Sequence, residues 1–145
     1  MFERMSQISR MTPQNRIQPA AMKLRPLWLV LGWLLVLFVI YVSVMPEPVQ
    51  LPVAEGDKFG HVLAYAALMS WFANLYELPA RRMQFAIGFI ALGIALEFVQ
   101  QSTGYRSFEV ADMAADAAGV AVGWLIAPPR IPNYLQGMGK LLQSA

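Results

Sequence analysis

The feature that most constrains this chain is an uncharged run of apolar residues from Leu27 to Met45. A helix of that length rises about 28 Å, which matches the hydrocarbon core of a bilayer. Three further apolar blocks follow, and each contains at least one strongly polar residue. Short connections join the last three blocks and favour antiparallel neighbours. The pattern predicts an all-α membrane protein, a bundle of four transmembrane helices at about 27–45, 59–76, 83–101 and 110–127.

Composition supports this class of protein. Only 14% of the 145 residues are charged and the mean hydropathy is +0.46, whereas soluble domains carry about a quarter charged residues. The absence of cysteine excludes disulfides and thiolate metal sites. Basic residues lie at the block edges and not on one face, which argues against nucleic-acid binding. The alternative of a cleaved signal peptide fits the first block poorly, since the apolar run is too long and no small-x-small site follows it.

The basic residues also predict orientation. Most of them lie before the first block, between the second and third, or after the fourth: Arg4, Arg10, Arg16, Lys23, Arg25, Arg81, Arg82, Arg130 and Lys140. The opposite loops carry only Lys58 and Arg106. Because cytoplasmic loops are enriched in Lys and Arg, both termini are expected in the cytoplasm. We expect residues 1–26 to be a polar, disordered segment and residues 129–145 to be a short cytoplasmic tail.

This topology gathers ionisable residues at the outer face. Lys58, His61 and Tyr65 share one helical face at the start of the second span. Glu97 lies about one turn inside the end of the third span, and Asp116 lies near the start of the fourth. Ionisable groups inside spans are costly and mark functional sites. The predicted ligand-binding or functional cluster comprises Asp57, Lys58, His61, Tyr65, Glu97, Gln100, Arg106, Asp112 and Asp116. The alternative is interhelical glue, at about 0.6 kcal/mol for each pair.

Pairing within the cluster can be predicted from chemistry. Arg106 is expected to pair with Asp112, because its planar fork binds carboxylates with two hydrogen bonds. Asp116 lies deeper, so we expect it to take up a proton and donate to His61. A divalent cation on His61 and the carboxylates is the weaker alternative, since Lys58 and Arg106 pair with carboxylates as readily. No metal and no cofactor are therefore expected.

Small residues recur at four-residue spacing in the fourth block. Ala115, Gly119 and Gly123 would lie on one side of that helix. Such a stripe lets a second helix approach closely. We therefore predict a helix-packing role for these three residues.

The ordered set of polar residues resembles a known family. Asp57-Lys58-x-x-His61-x-x-x-Tyr65 is followed by Glu97-x-x-Gln100, Arg106, Asp112 and Asp116-x-x-Gly119. This order is similar to that of the VanZ-like family of small bacterial membrane proteins, over about Asp57 to Trp124. The chain departs from it at Asp116, where the family usually has Asn.

The resemblance implies a multi-pass protein of the bacterial cytoplasmic (inner) membrane with a role in the cell envelope. It also suggests a link to antibiotic resistance, through sensitivity to the glycopeptide teicoplanin. It implies no particular reaction, so no residue is assigned a catalytic role and enzymatic activity stays open.

Three functions remain open at this point. The first is a factor that binds or handles an anionic envelope lipid or cell-wall precursor at the outer face, where Lys58, His61 and Arg106 meet the head group. The second is a structural or assembly subunit of the membrane, held by polar contacts between helices. The third is a small transporter, which is disfavoured because ionisable groups do not continue toward the inner face. The oligomeric state is not predicted.

Overall fold

The computed structural model describes residues 24–46 and 56–144, and within these ranges it is helical with no strand. Its helices are α1 (Arg25–Ser43), α2 (Gly56–Leu75), α3 (Pro79–Thr103), α4 (Val110–Leu125) and α5 (Tyr134–Ser144). The prediction of an all-α fold is confirmed, and α1 to α4 match the four apolar blocks to within about one turn. The predicted disorder of the N-terminal segment concerns residues that, up to position 23, lie outside the described ranges. Arg25 and Pro26, which were assigned to that segment, instead begin α1.

Proline and glycine place the helix ends. Pro26 and Pro79 stand in the first turns of α1 and α3, where the missing N–H costs nothing and φ is already helical. Gly104 follows α3 with φ +76°, a left-handed conformation that glycine adopts without strain. The turn at Gly104 starts the short connection that brings α4 back along α3.

The core is centred on α2. Leu68, Met69 and Phe72 are completely buried there. Helix α1 contributes one buried stripe, at Trp28, Gly32, Val36 and Val39, which is the spacing of one helical face. Rings from α2 and α3 stack beside it, with the centroids of Phe72 and Phe85 4.5 Å apart.

The α2–α4 contact is unusually close. A Cβ atom placed on Gly119 would lie 2.5 Å from the carbonyl oxygen of Val62, and one on Gly123 would lie 2.5 Å from that of Ala66. The two backbones therefore touch without intervening side chains. Ala115, the third residue of the predicted stripe, is also buried. This contact fixes the first turns of α4 beside the first turns of α2.

Large apolar side chains cover the outside of the bundle. On α1, Leu37, Phe38 and Tyr41 are each about 60% exposed, so this helix is apolar on every side. Helices that are apolar all round belong in a core or a membrane. Helices α1 and α3 are long and apolar enough to cross a membrane.

The C-terminal tail forms α5, for which the sequence analysis assigned no structure. Asn133 precedes the helix, and its Oδ1 accepts a hydrogen bond from the backbone N–H of Gln136 at 3.1 Å, as an N-cap does. The same side chain donates to the carbonyl oxygen of Asn74 at 2.8 Å. The tail is thus attached to the last turn of α2.

Candidate functional site at the polar end of the bundle

One end of the bundle, called here the polar end, collects the ionisable residues of α2, α3 and α4. It lies where α2 and α4 begin and α3 ends. Three carboxylates are deeply buried: Glu97, Asp112 and Asp116 are 1%, 3% and 2% exposed. On α2 the burial increases with depth, from Lys58 through His61 to Tyr65. The predicted residues are therefore brought together at one end, and the deepest are shielded from the surroundings.

His61 lies between two carboxylates of α4. Its Nδ1 is 2.8 Å from Oδ1 of Asp116, which is a hydrogen bond, and its Nε2 is 3.7 Å from Oδ2 of Asp112, which is too long for one. The other oxygen of Asp116 lies against Gly93 of α3, where a Cβ atom would clash with the carboxylate. Gly93 thus makes room for Asp116 to reach His61.

Glu97 and Gln100 contact backbone groups, not each other. The Glu97 carboxylate accepts a hydrogen bond from the backbone N–H of Glu109 at 3.0 Å. The Gln100 side chain donates to the carbonyl oxygen of Ser43 at 2.7 Å. These bonds attach the connection before α4, and the last turn of α1, to the end of α3.

The predicted pairing of Arg106 with Asp112 is wrong. Arg106 instead lies 3.8 Å from Asp57, between Nη2 and Oδ1, and Lys58 lies 3.6 Å from Glu109, between Nζ and Oε2. Both cations lie beside carboxylates that are themselves partly exposed. The physical reason is the neighbour that each carboxylate has: the buried Asp112 faces His61 of α2, whereas Asp57 lies beside Arg106. The predicted contact between His61 and Asp116 is present.

Two buried polar groups at this end have no hydrogen-bond partner among the described residues. They are Oδ1 of Asp112 and the hydroxyl of Tyr65. A buried group without a partner costs about 1–3 kcal/mol, and more when it is charged. Such groups are rare in folded proteins, so the presence of two at this end indicates a site for a hydrogen-bonding or metal ligand.

A cavity of about 340 Å³ opens beside His61. Apolar side chains of α1 and α2 form most of its wall, including Leu35, Phe38, Val39, Val42 and Leu63. Polar residues form one part of the lining: Ser43, Asp57, His61, Tyr65, Gln100 and Arg106. The cavity is therefore apolar along the helices and polar toward the polar end.

A second polar cluster, at the opposite end, was missed in the sequence. Arg82 is buried, and its guanidinium donates to the carbonyl oxygens of Ala73 and Tyr76 at 2.7 Å each, and to that of Pro128. These acceptors lie where α2 and α4 end, and a cation is favourable at helix C-termini. The signal was the position of Arg82 inside the first turn of an apolar helix. By its place in the sequence alone, Arg82 is one more basic residue of the loop between the second and third blocks.

No family model, curated protein or solved structure matches this chain.

Proposed function

We propose that this chain is a VanZ-like protein of the bacterial inner membrane that binds an anionic envelope lipid or cell-wall precursor. In this proposal α1 to α4 cross the membrane, both termini are cytoplasmic, and the polar end faces outward. The ligand's chain occupies the cavity between α1 and α2, and its head group reaches the polar end. A link to teicoplanin sensitivity belongs to this proposal through the family resemblance.

The membrane arrangement is supported by the positions of charged and apolar side chains. Arg81 and Arg82 open α3 and Arg130 follows α4, all at the end opposite to the polar end. An excess of Arg and Lys on one side is typical of the cytoplasmic face. The polar residues of α2 and α4 point at each other, so their outward faces remain apolar, as at the exposed Leu63 and Leu125.

The observation that carries the proposal is the two-part lining of the cavity. Binding sites for amphipathic molecules are apolar with a few convergent polar groups. Here Arg106 and His61 stand at the polar part, and the wall extends along Leu35 and Phe38. The unpartnered hydroxyl of Tyr65 belongs to a residue of the same lining.

The chemistry of the head group follows from these residues. Arg106 lines the cavity beside Asp57, at 3.8 Å, a distance that leaves its planar fork free to turn toward a second anion. A guanidinium binds a phosphate with two parallel hydrogen bonds. A phosphate-bearing head group would displace Asp57 from Arg106, and the Tyr65 hydroxyl would donate to the ligand. These residues bind and orient the ligand, and no reaction is assigned.

A structural or assembly role is the second candidate, and two hydrogen bonds favour it. The Gln100 side chain of α3 donates to the carbonyl oxygen of Ser43 at the end of α1. The hydroxyl of Tyr105, in the connection after α3, donates to the carbonyl oxygen of Val44, which follows α1, at 2.7 Å. Polar contacts of this kind stabilise helix bundles. A transporter receives no such support, because Leu68, Met69 and Phe72 fill the interior between the polar end and the opposite end.

The test is native lipid analysis by mass spectrometry on protein purified in mild detergent. We expect about one anionic lipid per chain, lost in Arg106→Ala and in Ala67→Trp, which fills the cavity. Arg81→Ala is the matched control, because Arg81 is exposed at the opposite end and its side chain donates a hydrogen bond to Gln84. All variants should elute as the wild type does in size-exclusion chromatography. An identical lipid content in the wild type and all three variants would refute lipid binding in this cavity.

A further inference from the structure

We propose that Asp57, His61 and Asp112 form a binding site for a divalent transition-metal ion, with Zn²⁺ as its preferred occupant. Each of the three residues places one donor atom within 4.8 Å of the other two. This contradicts the expectation from sequence that the cluster holds no metal. It concerns the same end of the bundle as the proposed lipid site but does not depend on any lipid.

The histidine has the environment of a metal ligand. Its Nδ1 is bonded to Asp116 at 2.8 Å, so an Nδ1–H that donates to this carboxylate leaves the lone pair on Nε2. That nitrogen faces Asp112, 3.7 Å from Oδ2. A carboxylate on the far nitrogen of a histidine fixes its tautomer and orientation in metal sites. Asp116 then orients His61 and does not itself bind the ion.

The second and independent observation is the unpartnered carboxylate of Asp112. Its Oδ1 is buried with no hydrogen-bond partner among the described residues, and the residue is only 3% exposed. An ion bound by both oxygens of the Asp112 carboxylate would give Oδ1 the partner that no described side chain or backbone N–H provides. The 3.7 Å between Asp112 and His61 is close to the separation of two ligands about 2.1 Å from one tetrahedral ion.

The balance of charges at the polar end also favours binding of a cation. Five carboxylates of the described chain lie there with two fixed cations: Asp57, Glu97, Glu109, Asp112 and Asp116 with Lys58 and Arg106. The two cations lie beside Asp57 and Glu109, the two carboxylates that are partly exposed. The buried carboxylates therefore face a deficit of positive charge in a region where unpaired charge is expensive.

The third ligand can move into place. Asp57 is exposed, with about half of its side chain accessible, and its contact with Arg106 is 3.8 Å long. A small rotation would bring its carboxylate to the ion and release Arg106. One imidazole and two carboxylates leave a fourth position open, as in zinc sites that take water or a further ligand. The imidazole favours Zn²⁺ over Mg²⁺ and Ca²⁺, which prefer oxygen ligands alone.

The experiment titrates Zn²⁺ into chelator-stripped, full-length protein in detergent, with no lipid added, by calorimetry. His61 is the chain's only histidine, so ¹⁵N labelling of histidine reports the ligand directly. We expect one ion per chain, a large shift of the Nε2 resonance and an Nδ1 that stays protonated. X-ray absorption should show one imidazole and oxygen donors. Excess Mg²⁺ should not displace the ion.

Variants of three carboxylates should differ in their affinity for Zn²⁺ according to the role of each residue. Loss of an outer-shell partner costs about 10- to 100-fold in metal affinity, so Asp112→Asn should weaken Zn²⁺ binding by more than about 100-fold. Asp116→Asn keeps an acceptor for His61 and should lose about tenfold. Glu109→Gln is the matched control: it removes one carboxylate of the same end and should bind as the wild type does.

Two results would overturn the metal site. One is a wild-type protein that gives no saturable Zn²⁺ binding and no shift at His61. The other is an equal affinity for Zn²⁺ in the wild type and in a folded Asp112→Asn. Neither result bears on the lipid content of the Arg106→Ala protein, so this proposal and the proposed function can fail separately.

Discussion

The close contact of α2 and α4 makes the strongest quantitative prediction, for the substitution Gly119→Ala. The added methyl group would lie 2.5 Å from the carbonyl oxygen of Val62 and 2.9 Å from Cβ of Tyr65. The first distance is about 0.9 Å short of the 3.4 Å where ordinary contact begins. Backbone and Cβ atoms cannot swing aside, so the two helices must separate. Overpacking of this kind costs about 1–3 kcal/mol.

The matched control is Gly88→Ala in α3, where a Cβ atom would meet nothing within 4 Å. Both substitutions replace a helical glycine by alanine, so the gain in helix propensity is common to them. The difference between the two variants in free energy of unfolding therefore reports the packing of α2 against α4. We expect Gly119→Ala to raise the unfolding equilibrium constant about 5- to 150-fold relative to Gly88→Ala.

The assay is equilibrium unfolding in mixed micelles, with the histidine ¹⁵N spectrum as a local readout. Separation of the helices would also lengthen the bond between His61 and Asp116, now 2.8 Å, so the imidazole resonances should move in Gly119→Ala alone. Equal stabilities of the two variants, with unchanged imidazole resonances, would show that α2 and α4 do not pack backbone to backbone.

Two further predictions concern the helix ends. Arg82→Ala should lower the free energy of unfolding by about 2–4 kcal/mol, because three carbonyl groups lose a buried donor. Arg81→Ala is the control and should change it by less than about 0.5 kcal/mol. Equal melting curves of the two variants would contradict the buried role of Arg82. Gln100→Leu removes the bond to the carbonyl oxygen of Ser43, so hydrogen exchange at the last turn of α1 should speed up several-fold while α2 is unaffected; unchanged exchange there would exclude this bond.

The helices could be predicted from sequence because their signals are local. The uncharged run after Arg25 and the proline at position 46 bound α1, and short connections force the later helices to return antiparallel. That antiparallel order also brings His61, Glu97 and Asp116 to one end. Each of these inferences needs only periodicity and the number of spans.

Other features depend on contacts between helices that a single sequence does not specify. The chemistry of Arg106 and its place six residues before Asp112 predict a pair with that carboxylate, but the neighbour of Arg106 in space is Asp57 of α2. Gly93 gives no local sign that it makes room for Asp116. The burial of Arg82 depends on the ends of α2 and α4 meeting beside it. The cavity likewise depends on how α1 packs against α2, since residues of both helices form most of its wall.

In the proposed arrangement the polar end faces the outside of the cell and the opposite end faces the cytoplasm. The chain contains no cysteine, so single cysteines can be introduced without background. We predict that Ser107→Cys at the polar end reacts with a membrane-impermeant maleimide on intact cells. Glu77→Cys at the opposite end should react only after the membrane is opened. Labelling of Glu77→Cys but not of Ser107→Cys on intact cells would contradict the orientation, and with it the placement of the lipid site at the outer face.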